Sequence, residues 1–255
     1  MKTQQELARL FHSLHVAGAP LVLFNAWDAG SGRAVAGAGA QAVATGSWAV
    51  AAANGFDDGE QLSLAFALDN LSRIVAAVEV PVTVDLESGY GDAPEAVAAT
   101  VAAALEAGAV GCNLEDSVPA DGSLRAAADQ AIRLAAARKA AEAAGVPMYL
   151  NARTDVFFQT PADAHDAAMV AAALERARAY ADAGASGLFV PGLVSEALIA
   201  EIAAASPLPV NVMVMPATPR RARLAELGVA RISHGPGPYL GAMKWLAEAA
   251  ASAMR

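Results

Sequence analysis

Residues 82–116 read VTVDLESGYGDAPEAVAATVAAALEAGAVGCNLED. The stretch opens on a β-branched run, 82–85, and passes through a polar, glycine-rich segment. An alanine-rich segment, 93–107, follows, with Pro94 where a helix would open, a place that tolerates proline. Glu-Ala-Gly-Ala at 106–109 then supplies a glycine for a left-handed helix cap, and a second apolar run begins at 110. This is one complete strand–helix–strand unit, and strands joined through helices pair in parallel.

Outward from this unit the pattern repeats. Ala-Ala-Gly-Val at 143–146, Asp-Ala-Gly-Ala at 182–185 and Glu-Leu-Gly-Val at 226–229 mark further helix-to-strand joints. Eight strand-like runs emerge: 21–25, 42–45, 82–85, 110–114, 148–151, 187–190, 210–214 and 231–233. Helices are expected near 3–17, 29–39, 59–77, 93–107, 123–144, 162–183, 194–204, 218–227 and 237–254, the first covering the bottom of the sheet. A chain of 255 residues is about the length of one (β/α)8 barrel, so one TIM-barrel domain over 1–255 is the expectation. An open doubly wound sheet has the same local pattern. Eight units with polar strand ends favour the closed barrel.

Composition narrows function. A net charge of -9 argues against binding a phosphate backbone. Apolar runs are short and interrupted, so no membrane span is expected. The N-terminal MKTQQELARLFHSLH lacks the apolar core of a signal peptide, and one cysteine, Cys112, cannot form an intrachain disulfide. These features predict a cytoplasmic protein with Cys112 an inert core thiol.

Polar residues gather at the strand ends. They include Asn25, Trp27 and Asp28, then Thr45, Gly46 and Ser47, and then Asp85 and Glu87. Asn113, Glu115 and Asp116 end the fourth run; Asn151, Arg153 and Asp155 the fifth; Asn211 lies on the seventh; Ser233 and His234 close the eighth. The C-terminal face of a barrel carries its active site. Asp85 and Glu87, two apart, would project to one side of an extended strand, with Glu115 on the next. Three such carboxylates repel one another unless a hard divalent cation joins them, and Mg²⁺ suits oxygen ligands. The plainer reading is loop carboxylates paired with basic side chains. Arg153 offers a fork for a carboxylate or phosphate, or an ion pair with Glu115 or Asp155.

The motifs F-N-A-W-D (24–28), A-T-G-S (44–47), G-F-D-D-G-E (55–60), V-D-L-E-S-G-Y-G (84–91), N-L-E-D (113–116), N-A-R-T-D (151–155), N-V-M-V (211–214) and R-I-S-H-G-P (231–236) occur in this order. Together they resemble the isocitrate lyase/phosphoenolpyruvate mutase superfamily over nearly the whole chain. The resemblance implies a (β/α)8 barrel, a tetramer with its last helix exchanged between subunits, and Mg²⁺, with Mn²⁺ as the alternative ion. It implies a small carboxylate substrate, a 2-oxo or 2-hydroxy acid, reacting through an enolpyruvate-like intermediate. Asp85, Glu87 and Glu115 are the expected metal residues, Asp85 direct and the others through water. Trp27, Gly46, Ser47 and Asn211 are the expected substrate-binding residues. Asp58, Arg153 and His234 are the expected catalytic groups, Asp58 also helping to hold the metal.

One departure bears on the reaction. Isocitrate and 2-methylisocitrate lyases carry a Lys-Lys/Arg-Cys-Gly-His loop after the fourth strand; here Ser117–Arg125 reads SVPADGSLR, with no Cys or His. The lyases' glutamate at the end of the sixth strand is replaced by Val190-Pro191-Gly192. The expectation is therefore C–C cleavage of oxaloacetate-decarboxylase type, with His234 as acid/base. The alternatives are a C–P enzyme, such as phosphonopyruvate hydrolase or phosphoenolpyruvate mutase, and a non-catalytic metabolite-binding barrel.

Overall fold

The computed structural model describes residues 2–255. Its strands are β1 (Leu21–Leu23), β2 (Val43–Ala44), β3 (Val82–Asp85), β4 (Gly111–Glu115), β5 (Tyr149–Arg153), β6 (Gly187–Phe189), β7 (Val210–Met213) and β8 (Arg231–Ser233). They form one sheet in the order β1-β8-β7-β6-β5-β4-β3-β2, every paired ladder parallel. A parallel bridge between Ala26 and Thr45, with the Ala26 N–H donating to the Ala44 carbonyl at 2.8 Å, joins the β1 and β2 edges. The sheet is the wall of a (β/α)8 barrel.

The helices are α1 (Gln4–Ser13), α2 (Ala29–Gly37), α3 (Ser47–Ala53), α4 (Leu64–Ala77), α5 (Pro94–Glu106), α6 (Ala127–Ala143), α7 (Ala167–Asp182), α8 (Glu196–Ala205), α9 (Arg221–Glu226) and α10 (Gly237–Ala253). The four repeated joints do cap helices: Gly108, Gly145, Gly184 and Gly228 all have φ between 70° and 97°. A left-handed residue there ends each helix and turns the chain into the next strand.

Three helix expectations are corrected. α3 was not anticipated, because seven residues directly after a strand are too few to show a helical period. The helix expected from 59 starts at Leu64, since Gly59 and Glu60 both have positive φ and cannot lie in a right-handed helix. The helix expected over 162–183 divides into a 3₁₀ turn, Ala162–Ala164, and α7, which Asp166 caps by accepting from the Met169 N–H at 3.0 Å.

Strand alternation sorts side chains onto two faces. Val84, Cys112, Leu114, Leu150, Ala152, Leu188, Val212 and Ile232 are buried in the apolar cluster shared with the surrounding helices. Burial pushes the Cys112 thiol up to about 12, as an inert core thiol requires. α1 packs its buried Phe11 edge-on to Tyr149, at the N-terminal end of β5, and His15 stacks on the same ring at 3.8 Å. The first helix thus covers the barrel bottom, and the opposite end is left for chemistry.

Candidate active site

At the C-terminal ends of the strands lies a cavity of about 240 Å³. Asn25, Gly46, Ser47, Asp58, Asp85, Asn113 and Arg153 form its polar part. Trp48, Phe158, Phe189, Met213 and Pro236 form an apolar wall. A larger groove of about 690 Å³ lies at the other end, beside α1 and α4. It gathers no such set of strand-end side chains, so volume does not mark the site here.

Asp85 ends β3 and is the centre of the polar half. Its Oδ2 accepts from the N–H and hydroxyl of Ser47, both at 3.3 Å. Its backbone N–H donates to Thr45 Oγ1 at 3.0 Å, so β2 positions β3's last residue. Asp58 faces the same cavity. Burial, and then the charge of Asp85, raise its carboxyl above the ordinary range. Asn25 ties the rim together: its amide donates to the Thr45 carbonyl at 2.8 Å, and its oxygen accepts from the N–H groups of His234 and Gly235 at 3.0 and 2.9 Å.

Glu87 is placed differently from expectation. β3 stops at Asp85, and Glu87 has φ 50°, so the two no longer share one face of an extended strand. Glu87 Oε2 accepts from the N–H groups of Gly59 and Glu60 at 2.8 and 2.5 Å, and Oε1 from the Tyr90 hydroxyl at 3.3 Å. Glu60 reciprocates, its Oε1 accepting from the Ser88 hydroxyl at 2.6 Å and the Tyr90 N–H at 2.9 Å. The two glutamates latch the Asp58 loop to the β3 loop. Burial, then the charges of Asp58 and Asp85, push Glu87 up to about 7.

Glu115 also faces a protein partner. Its Oε2 lies 2.7 Å from Arg153 Nη1, and its Oε1 accepts from the Ser117 hydroxyl at 2.6 Å. Burial raises its carboxyl against the pull of Arg153. Arg153 grips Asp155 with Nε and Nη2 at 2.6 and 2.9 Å, and its guanidinium lies 5.6 Å from the Phe158 ring centre. Burial opposes its charge, but Glu115 and Asp155 more than offset this and hold it cationic. The ion-pair reading of Arg153 is therefore realised, and Arg153 still lines the cavity.

Among the described residues no three His, Cys, Asp or Glu side chains come together as a metal-holding group. The expected convergence of Asp85, Glu87 and Glu115 is thus corrected: the latter two are satisfied by protein donors, leaving Asp85 and Asp58 facing the cavity. This set still suits Mg²⁺, which binds through one or two carboxylates and keeps several waters. Two like charges on one small cavity, with the Asp58 carboxyl raised by its neighbour, are relieved by a cation.

Three other placements differ from expectation. Trp27 does not line the cavity; it packs edge-on to Tyr239 at 5.3 Å and against the small Val50–Leu62 cluster, while Trp48 supplies the indole wall. His234 follows the inward Ser233, so alternation turns it outward; its ring lies 4.9 Å from exposed Phe24, and Gly235 takes the cavity edge. Asn211 lies below the cavity, fully buried, accepting from the Ser233 hydroxyl at 3.2 Å. Gly46 and Ser47 both line the cavity. Phe158, Phe189 and Met213 carry no chemical signal in the sequence; only alternation along β6 and β7, of which the last two are the final residues, points them inward.

The raised carboxyls predict a pH effect. Protons and a cation compete for the Asp58 carboxyl, the raised group that faces the cavity, so metal affinity should increase as pH rises through its raised titration range. Without metal, Glu87 binds protons more tightly folded than unfolded, so its contribution to stability is present below its ordinary value of 4.5 and lost as pH rises towards about 7. Mg²⁺ should therefore raise the melting temperature more at pH 8 than at pH 5.5. Equal increments would contradict this.

Fold and mouth together define a (β/α)8 barrel with an acidic strand-end site. The sequence matches the phosphoenolpyruvate phosphomutase family over residues 11–254. The chain belongs to this family, within the phosphoenolpyruvate mutase/isocitrate lyase superfamily of mutases and lyases. A crystal structure from Burkholderia cenocepacia J2315, provisionally described as a phosphonomutase, is 60% identical, with TM-score 0.96, covering 98% of this chain and 100% of that one. A Mycobacterium tuberculosis H37Rv protein of unassigned function is 36% identical over 94% of this chain and 87% of its own length. A Bradyrhizobium oxaloacetate decarboxylase is 34% identical over 65% of this chain and 56% of its own length.

Proposed function

We propose that the chain is a Mg²⁺-dependent lyase that cleaves a C–C bond in a small 2-oxo or 2-hydroxy carboxylate. Decarboxylation of an oxaloacetate-like diacid is its most concrete form. The observation that carries this reading is the two-sided cavity: Asp58 and Asp85 on one side, an apolar wall on the other, and no Lys, Cys or His among its lining residues. Decarboxylation needs no protein acid while the bond breaks. The bond's electron pair moves toward the 2-oxo oxygen, CO2 leaves, and water protonates C3 afterwards.

Asp85 and Asp58 would hold the cation, which supplies Lewis-acid stabilisation of charge on the substrate oxygen. Ser47 holds Asp85 through its hydroxyl and N–H, both at 3.3 Å, and would turn these long contacts to the substrate carboxylate once a cation takes up Asp85. Arg153 presents a fixed positive charge to the same end. Trp48, Phe158 and Phe189 give the departing carboxylate a poorly hydrated surface, on which neutral CO2 is favoured over the anion. The 117–125 loop is anchored as a hairpin, by the Ser117–Leu124 bridge, the Arg125–Asp92 pair at 2.6 Å and the Gln159 amide on the Gly122 carbonyl at 3.1 Å. This suits a reaction without a loop-borne acid.

The family match and the 60% identical structure favour a C–P enzyme as the second reading. Incubation with Mg²⁺ and either oxaloacetate or phosphonopyruvate separates the two. Pyruvate formed from oxaloacetate above the rate of Mg²⁺ alone is the expected result. Phosphate from phosphonopyruvate would establish the alternative, and turnover of neither would reject both. We further propose a cytoplasmic homo-oligomer. No described helix is long and apolar enough to cross a membrane, and α10 exposes Leu240, Trp245 and Leu246, an apolar surface suited to a second copy. A single-chain mass by light scattering would reject the oligomer.

A further inference from the structure

Arg231 opens β8 inside the barrel and is 1% exposed. It lies two residues before Ser233, hence on the same inward face, one layer below the cavity. Its register neighbours are Leu21 on β1 and Asn211 on β7. Its Nε donates to Ser233 Oγ and its Nη2 to Asn113 Oδ1, both at 3.2 Å. Asn113 and Ser233 line the cavity floor, so the guanidinium sits directly behind two residues that a bound molecule would meet.

A buried cation is costly unless paired. Yet among the described residues no carboxylate lies within 4.0 Å of this guanidinium. Burial pulls Arg231 down to about 10, which still leaves it charged at neutral pH. The surrounding layer is not a closed network either. Arg231 Nη1, Asn211 Nδ2, Asn151 Oδ1 and Thr83 Oγ1 are all buried without a protein partner. A charge retained only to fill the barrel would be expected to have its hydrogen bonds satisfied. Here it faces an acidic mouth whose one lining cation, Arg153, is already shared between Glu115 and Asp155.

We propose that Arg231 is a positioning residue that orients Asn113 and Ser233 and supplies, from beneath the floor, the uncommitted positive field that lets this acidic cavity accept an anionic substrate. The proposal rests on the functional reading above, that the cavity holds a cation and a small carboxylate. It differs from a packing role in one respect. A positive field must oppose the cation and favour the anion, whereas damaged packing weakens both.

Mn²⁺ affinity, followed by the paramagnetic resonance of free Mn²⁺, and oxalate affinity at saturating Mn²⁺, followed by calorimetry, are to be compared in the wild-type chain, R231Q and R231K. In R231Q oxalate should bind more weakly by roughly tenfold or more while Mn²⁺ alone binds at least several-fold more tightly, because one unit charge acts with opposite sign on the two ligands. R231K, which keeps the charge, should stay closer to wild type in both. Weakening of both ligands, or change in neither, would overturn the proposal. If R231Q does not fold, R231M carries the same test with fewer polar demands, and failure of both to fold would make Arg231 purely structural. Absence of both ligands from the wild-type chain would instead overturn the functional reading, and this proposal with it.

Discussion

Replacing Asp85 by alanine is expected to lower Mg²⁺-dependent turnover by roughly a thousandfold or more while the barrel stays folded. Asp85 faces the cavity, and its protein contacts are long: 3.3 Å to the Ser47 N–H and hydroxyl, and 3.4 Å to the Glu87 N–H. Removing it therefore costs little hydrogen bonding, and it relieves repulsion on Asp58 and Glu87, whose carboxyls are raised partly by its charge. The metal-free melting temperature of the variant should equal or exceed that of the wild type. Steady-state rates corrected for the metal-only reaction, with circular dichroism as the check on folding, decide the matter. Full activity would remove Asp85 from the site.

Arg153→Lys should damage both activity and stability, although the charge is conserved. The planar fork meets Glu115 through Nη1 and Asp155 through Nε and Nη2. A lysine ammonium cannot reproduce these directions at once. One buried carboxylate is left short of its partner, at about 1–3 kcal/mol, with about 3–5 kcal/mol expected for Arg153→Ala. The catalytic loss should be roughly a hundredfold in kcat/KM, because the positive charge moves from where the reaction needs it. Denaturant unfolding and kinetics on the same samples test both parts. A variant of unchanged stability would contradict the ion-pair geometry.

The barrel was legible because its signals are local. Gly108, Gly145, Gly184 and Gly228 each mark a helix end through backbone conformation, and the β-branched runs announce the strands that follow. The polar strand ends share one face of the barrel, and Gly46, Ser47, Asp58, Asp85 and Arg153 all line one cavity there. What failed depended on side-chain direction beyond the regular elements. Two-residue spacing placed Glu87 beside Asp85, but the strand ends at Asp85 and Glu87 turns left-handed to bind another loop. His234 follows the inward Ser233, and alternation past that residue turns its ring outward onto Phe24. Trp48 carries no local signal, because the seven residues of helix after β2 are too few to show a period. Arg231 carries no local signal of burial, since only closure of the barrel puts the first residue of β8 inside.

Diffraction from crystals soaked in Mn²⁺ and oxalate tests the central claim most directly. An anomalous peak inside the 240 Å³ cavity, bound by the Asp85 carboxylate and with oxalate beside Ser47, is the predicted result. A cavity free of manganese at saturating concentration, or a peak held by other residues, would contradict the account.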